Sequence, residues 1–389
     1  MCYQNIRNTD EPISVKKTWR NTAMKILIFT NDSGGLFNFR REVLQEMLNS
    51  GHEVYICLPN GSFIPELTQT GCIFEPYAFD RHGTNPFDEL RMIRDYKRII
   101  EKVSPDIVFT YTIKPNIYGG IACIKTRIPY VANITGLGLA IENGGVLQKI
   151  TLALYKLGLR RAQKVFFQNT ENRDFMLKHG ILKGAYDLLP GSGVNLRHFS
   201  ALDYPSAERT EFAFISRIMK EKGADQYLEA AEYIKSRYPN TIFHVCGSCE
   251  QDYEERLKEL YEKGIIIYHG VVKDVREVLK NVHCTVHPTY YPEGMSNVLL
   301  ESSACARPII TTDRAGCREI IDDRVNGYIV KQRDSKDLIE KIERFLALPW
   351  EEKRRMGCYG RKKVEQSFDR NIVVWQYLRE LEEIQSTGD

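Results

Sequence analysis

The chain lacks any apolar run close to the ~18 residues that a membrane-spanning helix needs. Its first 23 residues also lack an apolar stretch like that of a secretory signal peptide. We therefore expect a cytoplasmic protein, whose ten irregularly spaced cysteines remain free thiols in a reducing compartment. An excess of one charge is missing too. The 54 Lys and Arg against 51 Asp and Glu give a net charge of +3, too small for a nucleic-acid binder.

The composition is that of a globular protein, with 43% hydrophobic and 27% charged residues. These values exclude disordered, collagen-like and disulfide-scaffold classes. A length of 389 residues predicts two domains. Residues 1–23 are polar and without periodicity, so we expect them to be a dispensable leader.

From Met24 onward, short apolar runs alternate with stretches of helical periodicity. This alternation predicts an α/β domain over residues 24–190, built on one doubly wound, Rossmann-like parallel sheet. The predicted strands are Ile26–Phe29, Val54–Leu58, Ile107–Thr110, Tyr130–Ile134 and Val165–Phe167. The predicted helices are Leu36–Asn49, Phe87–Val103 and Leu147–Ala162.

The segment Leu189–Pro205 is rich in Gly, Pro and Ser and interrupts the alternation, which is typical of an interdomain linker. A second parallel sheet is predicted over residues 191–367, and a last helix at about 368–386 is expected to pack back on the first domain. The predicted strands of this second domain are Phe212–Ile215, Ile242–Cys246, Ile265–Tyr268, Thr285–Val286 and Ile309–Thr311. Its predicted helices are Asp225–Arg237 and Tyr253–Glu262. Two such domains face each other across a cleft, and ligands bind beyond the carboxyl ends of the strands.

One such loop leads from the strand around Val286 into a helix, with the sequence YPEGMSNVLLE from Tyr291 to Glu301. A glycine, Gly294, would let the backbone approach a ligand, and a carboxylate, Glu301, could accept both hydroxyls of a ribose. The free amides expected to attract a diphosphate at the helix N-terminus are those of Met295, Ser296 and Asn297. The alternative is that Glu293 and Ser296 only cap the helix.

A second candidate loop follows the first strand of the second sheet, where Arg217 and Lys222 bracket a turn into a helix. Both cations can converge on phosphate oxygens there. The alternative is a solvated charged loop. Because both loops lie at the same end of one sheet, a single diphosphate would account for them together.

These residues resemble those of the retaining glycosyltransferases of family 4, which have the two-domain GT-B fold. The resemblance rests on Arg217 and Lys222 with four residues between them, on Glu293 and Glu301 with seven between them, and on the run RPIITTDRAGCREIIDDRVNGYIV. It covers the chain from Met24 onward. It implies that the two cations hold the donor diphosphate, that Glu301 holds the ribose, and that Glu293 faces the donor sugar and supports the reacting centre.

Within this family, the segments GGLFNFRREV, TYTIKPNIYGG and NITGLG are similar to transferases that build surface polysaccharides and glycans on polyprenyl-diphosphate carriers. The resemblance implies a UDP donor, an N-acetylhexosamine as the transferred sugar and a lipid-linked saccharide acceptor. It also implies that the backbone of Gly34 and Gly35 lies near the donor phosphates or the acceptor hydroxyl, although a simple strand-to-helix turn is the alternative. Lys114 is a candidate diphosphate contact, or else an ordinary loop lysine. Thr135 stands where many members have a histidine that contacts the donor sugar.

No metal or other cofactor is expected. Cys246 and Cys249 have redox or zinc spacing, but no second pair follows, and His283 and His287 lie too far on for a zinc finger. The chain also contains no Asp-x-Asp, the motif that binds the metal in the other main transferase fold.

The sequence thus predicts a metal-independent retaining glycosyltransferase. One rival is a nucleotide-sugar epimerase of the same fold, and another is a two-lobed protein that closes on a small ligand without chemistry. We also expect the first domain to dock peripherally on the inner face of the membrane through Leu147–Lys164. Leu147, Ile150, Leu154 and Leu157 would share one helix face there, beside Lys149, Lys156, Arg160 and Lys164. Packing of that face on the sheet is the alternative.

Overall fold

The computed structural model describes residues 23–77, 85–142 and 144–387. The predicted leader lies outside these ranges except for its last residue. The described residues form two separate α/β units, each built on one parallel sheet, which confirms the predicted fold class.

The first sheet has seven strands in the order β3-β2-β1-β4-β5-β6-β7, all parallel. The strands are β1 (Lys25–Phe29), β2 (Glu53–Leu58), β3 (Ile73–Pro76), β4 (Ile107–Tyr111), β5 (Tyr130–Ile134), β6 (Lys164–Phe167) and β7 (Ala185–Leu188). β1, β4 and β5 are buried almost throughout, as expected of central strands covered by helices on both faces. The chain reverses its direction of winding between β1 and β4, and such a switch point opens a crevice at the carboxyl ends of the strands.

Short polar side chains begin several helices of this domain by accepting hydrogen bonds from first-turn amides. Asp32 accepts from the Gly35 amide at 2.5 Å, and Asn169 accepts from the Asn172 amide at 2.8 Å. The helices are α1 (Ser33–Asn49), α2 (Ile64–Gln69), α3 (Pro86–Val103), a π-helical turn (Pro115–Gly119), α4 (Gly120–Thr126), α5 (Leu139–Glu142), α6 (Gly145–Leu159) and α7 (Thr170–Lys178).

Helix α6 differs from its prediction in length. It ends at Leu159, and Lys164 belongs instead to β6, where its ammonium pairs with Glu380 and, at 3.1 Å, with Glu383. Lys164 is therefore not part of the predicted docking helix. The face that α6 buries consists of Thr151, Tyr155, Gly158 and Leu159, and of the four residues of the predicted apolar face only Leu154 packs partly against the core.

The second sheet has six parallel strands in the order β10-β9-β8-β11-β12-β13, with its switch point between β8 and β11. The strands are β8 (Thr210–Ile215), β9 (Thr241–Cys246), β10 (Ile266–Gly270), β11 (Cys284–His287), β12 (Ile309–Thr312) and β13 (Gly327–Val330). The helices are α8 (Ala224–Arg237), α9 (Glu254–Glu262), α10 (Arg276–Leu279), α11 (Asn297–Ala304), α12 (Ser335–Ala347), α13 (Trp350–Ser367) and α14 (Arg370–Thr387). A single 3₁₀ turn, Lys220–Lys222, lies between β8 and α8.

The last helix, α14, packs on the first domain although it follows the second in sequence. Its buried residues Val373, Tyr377, Leu381 and Ile384 belong to the same hydrophobic cluster as strands β1, β2 and β4. The Tyr377 hydroxyl donates to Asn133 Oδ1 at 2.5 Å. The chain therefore crosses between the domains twice.

The two crossings lie side by side. The Val194 amide donates to the Phe368 carbonyl at 2.8 Å, and the Arg370 amide donates to the Val194 carbonyl at 3.1 Å. The buried Arg370 guanidinium then ties this junction to α1 through Glu42 at 2.6 Å. Paired crossings of this kind form one joint between the domains. No helix in the described part of the chain has both the length and the hydropathy to cross a lipid bilayer.

Candidate active site between the two sheets

The two loops singled out in the sequence meet at one edge of the second sheet. Arg217 and Lys222 follow β8, and the segment from Tyr291 to Asn297 follows β11. These strands are hydrogen-bonded neighbours at the switch point. Loops that follow neighbouring parallel strands emerge at the same sheet end, so the fold itself brings the two motifs together.

Lys222 and Glu293 form an ion pair at the centre of this region. The Lys222 side chain is buried, with the residue only 8% exposed, and Glu293 is half-buried. The sequence predicted both as site residues but did not predict that they contact each other. The pair keeps a lysine and a carboxylate together in a poorly solvated place, where charges act more strongly than in water.

The ring of Tyr291, a residue that the sequence did not single out, is approached by both cations. Its ring centroid is 4.6 Å from Lys222 Nζ and 5.4 Å from the Arg217 guanidinium carbon. The Arg217 side chain is 44% exposed, and it pairs with Glu250 at 2.8 Å. Stacking of cations on an aromatic face restricts where they point. The only signal for Tyr291 in the sequence was its position at the start of the glutamate motif.

His287 is the last residue of β11, the strand that leads into this loop. It is 1% exposed, and neither ring nitrogen has a hydrogen-bond partner among the described residues. Burial and, secondly, the positive charge of Lys222 hold the pKa of His287 well below its ordinary value. The imidazole is therefore neutral and adds no second positive charge near Lys222.

Glu301 lies in the second turn of α11, and its carboxylate makes no hydrogen bond with another residue that the structure describes. Part of its surface stays accessible, but dense protein surrounds the carboxylate. This desolvation raises the pKa of Glu301 to about 7, against an opposing effect of the positive charge of Arg370. An unpartnered carboxylate in such a place is available to accept from a ligand.

The start of α11 differs from the sequence prediction at one amide. The Ser296 amide donates to the Gly316 carbonyl at 2.8 Å and is not free for a phosphate. The amides of Met295 and Asn297 have no such partner in the described structure. The Ser296 side chain makes no capping hydrogen bond, and the Glu293 carboxylate binds Lys222, so the alternative that these two residues only cap the helix is wrong.

Gly294, predicted to let the backbone approach a ligand, also has a role in packing that the sequence did not indicate. A Cβ on this residue would lie 2.3 Å from Gln168 Oε1 and 2.4 Å from the carbonyl oxygen of Thr135, both in the first domain. Glycine is therefore required here for close contact between the two domains. Thr135 takes part in this contact through its backbone.

Two of the other predicted site residues, Gly35 and Lys114, have partners within the first domain. Gly34 and Gly35 lie in the first turn of α1, where Asp32 occupies the Gly35 amide at 2.5 Å, so this stretch is a capped strand-to-helix turn. Lys114 Nζ donates to Glu89 Oε1 at 3.0 Å. The Gly35 amide is therefore not free for a phosphate, and Lys114 is ion-paired in this structure.

The cysteine predictions can be compared directly with the structure. The nine described cysteines form no disulfide bond, as predicted. Within residues 23–77, 85–142 and 144–387, no three His, Cys, Asp or Glu side chains are grouped closely enough to hold a metal ion.

Two protein-family models match the chain. "Glycosyl transferase 4-like" matches residues 25–169, and "Glycosyl transferases group 1" matches residues 204–363. The first match covers the unit built on the seven-stranded sheet up to the end of β6, and the second covers the unit that carries Arg217, Lys222, Glu293 and Glu301.

Similar proteins cover most of the chain. The N,N'-diacetylbacillosaminyl-diphospho-undecaprenol alpha-1,3-N-acetylgalactosaminyltransferase of Campylobacter jejuni is 26% identical over 92% of this chain and 98% of the relative. The UDP-Gal:alpha-D-GlcNAc-diphosphoundecaprenol alpha-1,3-galactosyltransferase of Escherichia coli is 23% identical over 66% of this chain and 71% of the relative. The crystal structure of a glycosyltransferase from Rickettsia africae superimposes with a TM-score of 0.78 at 20% identity, covering 94% of this chain and 99% of that one.

Glu301 gives a pH-dependent prediction that does not depend on substrate. Because burial raises its pKa from 4.5 to about 7, the folded protein binds this proton more tightly than the unfolded chain. The resulting stability is present below about pH 4.5 and is lost as the pH rises through about 7. Glu301→Gln removes the titration, so the wild type should lose stability relative to this variant between about pH 5 and pH 8.

Thermal unfolding of both proteins at a series of pH values measures this difference. Glu351→Gln, on the exposed side of α13, serves as a control with the same chemical change. A constant difference between the wild type and Glu301→Gln over this pH range would show that Glu301 has an ordinary pKa.

Proposed function

Because the chain belongs to the glycosyltransferases that join a glycosyl transferase 4-like domain to a group 1 domain, we propose that it transfers a sugar from a UDP donor to a polyprenyl-diphosphate-linked saccharide. The transferred sugar in this proposal is an N-acetylhexosamine, and the anomeric configuration of the donor is retained. The Campylobacter relative supports both the acceptor class and the sugar class by its name. The E. coli relative supports a UDP donor and a diphosphoundecaprenol-linked acceptor in the same way.

The observation that carries this proposal is the cation cluster of Arg217 and Lys222 around Tyr291, with Glu293 in contact with Lys222. A nucleotide diphosphate leaves with increasing negative charge as the glycosidic bond breaks. Two cations placed before the reaction stabilise that charge without reorganisation, which is usually the largest catalytic contribution. Lys222 would then be shared between the leaving phosphate and Glu293.

The carboxylates take different parts in the proposed reaction. Glu293, fixed by Lys222, faces the donor sugar and stabilises positive charge developing at its anomeric carbon. Glu301, which is unpartnered, accepts the ribose hydroxyls. The acceptor hydroxyl attacks from the side of the leaving group, and a donor phosphate oxygen takes its proton. This route retains configuration and needs no strongly basic side chain.

Transfer itself is tested by offering a set of UDP-sugars together with polyprenyl-diphosphate-linked acceptors and detecting products by mass. We expect a new glycoside only when donor and acceptor are both present, and we expect activity to survive excess EDTA. Donor incubated alone is the control, because an epimerase would release a free sugar from it. Loss of activity in EDTA that Mg²⁺ or Mn²⁺ restores would contradict the proposed metal-independent mechanism.

Substitutions of the four charged residues should separate their roles. Arg217→Ala and Lys222→Ala each remove a charge-assisted contact worth about 1.5–3 kcal/mol, or roughly 10- to 150-fold in transfer rate. Glu301→Ala should weaken binding of UDP itself, whereas Glu293→Ala should lower turnover and leave UDP affinity nearly unchanged. Calorimetry and initial rates measure these effects.

Arg355→Ala is the matched control, since that side chain is 65% exposed on α13. Normal rates in both cation variants would disprove the diphosphate assignment. Equal loss of UDP binding in both glutamate variants would show that their roles are wrongly divided.

We further propose that the first domain docks on the inner face of the membrane through the outer face of α6, which consists of Val146, Leu147, Ile150 and Leu157. These side chains are 74%, 48%, 52% and 49% exposed, so packing on the sheet does not account for them. The neighbouring Lys149, Lys156 and Arg160 are exposed and form no ion pair with any residue in the described part of the chain. Exposed apolar side chains beside uncompensated cations suit an anionic lipid surface. A carrier-linked acceptor would present its diphosphate there.

The docking surface predicts salt-sensitive binding to vesicles. Each cation near an anionic surface contributes about 1 kcal/mol, so changing Lys149, Lys156 and Arg160 together to Gln should weaken binding to phosphatidylglycerol vesicles roughly 100-fold at low salt. Ile150→Ser with Leu157→Ser should weaken it further through lost apolar contact. Co-sedimentation at low and high salt measures both.

A control with the same change of charge replaces Lys258, Lys263 and Lys280 of the second domain by Gln, since all three are exposed. Docking through α6 is refuted if the wild type ignores anionic vesicles, or if the two triple variants bind them equally well.

A further inference from the structure

We propose that Asn169 of the first domain is a positioning residue for Glu293, because its side chain holds the backbone of the segment from which Glu293 projects. This inference rests on the proposed function for the importance of Glu293. The hydrogen bonds from which it is argued are independent of the proposed function.

The Asn169 amide group joins the two domains directly. The residue is 2% exposed. Its Nδ2 donates to the Gly294 carbonyl at 2.6 Å and to the Glu293 carbonyl at 3.1 Å. Its Oδ1 accepts from the Asn172 amide at 2.8 Å and thereby caps the N-terminus of α7. Only this orientation of the amide places a donor against the carbonyls and an acceptor against the N–H, so the side chain has one satisfied arrangement.

Three glycines near these hydrogen bonds allow main-chain segments to pack directly against each other. A Cβ on Gly136 would lie 3.0 Å from the Pro292 carbonyl, one on Gly294 would lie 2.4 Å from the Thr135 carbonyl, and one on Gly316 would lie 2.7 Å from the Gly294 carbonyl. Main chain therefore packs on main chain on both sides of residues 292–294. Water has little access to such a contact, and a buried carbonyl without a donor is costly there.

Glu293 is consequently held from two directions. Its main chain is held by Asn169 of the first domain, and its carboxylate is held by Lys222 of the second. If the first domain moves away, the backbone of Glu293 loses its hydrogen bond while the ion pair remains. The direction of the carboxylate therefore depends on contact between the domains.

Two ion pairs flank this contact and make a useful comparison. Glu142 pairs with Arg314 at 2.8 Å, and Glu171 pairs with Arg318. Both acidic side chains are more than two-fifths exposed, and exposed pairs contribute little. Asn169 is buried and central, so it is the interdomain contact whose loss should change turnover.

Asn169→Asp is the test variant, since it keeps the size of the side chain and the acceptor for the α7 amide. It places an oxygen against two carbonyl oxygens where the wild type has a donor. We expect kcat to fall roughly 10- to 100-fold, because small displacements of a reacting group have effects of that size. The Kd for UDP should change less than about threefold, since Arg217 and Glu301 belong to the second domain.

The same variant has a pH signature that a merely structural role would not produce. The introduced carboxyl group can donate to one carbonyl when it is protonated. The kcat of the variant should therefore approach that of the wild type as the pH falls from 8 to 6. Asn169→Ser also keeps an acceptor for the cap, but its shorter hydroxyl cannot replace the two hydrogen bonds of the amide and does not titrate, so its kcat should be low at every pH. Arg318→Gln, which removes a flanking exposed pair, is the control and should stay within about twofold of the wild type.

Hydrogen–deuterium exchange of the peptide covering residues 289–300, measured without substrate, separates this inference from the proposed function. Faster exchange in Asn169→Asp and Asn169→Ser than in Arg318→Gln, together with lowered kcat, supports the inference. Unchanged exchange, or an effect on UDP affinity alone, overturns it. If the wild type transfers no sugar, the proposed function fails, and exchange alone decides whether Asn169 holds the segment. If Asn169→Asp does not fold, Asn169→Ser gives the same decision.

Discussion

The arrangement of the cleft depends on one close contact between main chains, where Gly294 of the second domain meets the Thr135 carbonyl of the first. Residue 294 has no room for a side chain at that point. The contact brings the carboxyl edge of the first sheet to within hydrogen-bonding distance of the segment that follows β11, and Asn169 completes it. Residues that would act on a donor are therefore placed by the second sheet, while the position of one of them also depends on the first.

The last helix, α14, forms a second connection between the two domains. Because α14 is buried in the first domain, the two crossings pair beside each other, and Arg370 links them to Glu42 of α1. Arg370 also lies close enough to Glu301 to oppose the rise of its pKa. The positive charge of Arg370 thus acts both on the joint between the domains and on Glu301, the carboxylate proposed to bind the ribose.

Much of the architecture could be predicted from the sequence, and the reasons for the failures are physical. Strands such as Tyr130–Ile134 are continuous apolar runs with clear ends, and the structure has that strand at the predicted residues. Short elements such as β3 and β7 were missed because half-exposed strands of four residues have no distinctive period. The motifs and the strands before them predicted that Lys222 and Glu293 lie at one sheet edge. No local pattern could indicate that the Ser296 amide donates to the Gly316 carbonyl, or that the Asn169 side chain donates to the Gly294 carbonyl. Those contacts join residues far apart in sequence, so they depend on tertiary packing alone.

The two glutamates of the motif show how packing gives different chemistry to similar residues. Glu293 is neutralised by a lysine that the fold supplies, so its charge is already balanced before any ligand arrives. Glu301 has no hydrogen-bond partner in the described structure, and burial raises its pKa to about 7. Its ionised form is therefore costly until hydroxyl groups donate to it. A ligand that brings two neighbouring hydroxyls would remove this cost, whereas a free phosphate would not. In the proposed function, Glu301 would therefore favour the ribose of the donor, and Arg217 and Lys222 would favour its diphosphate.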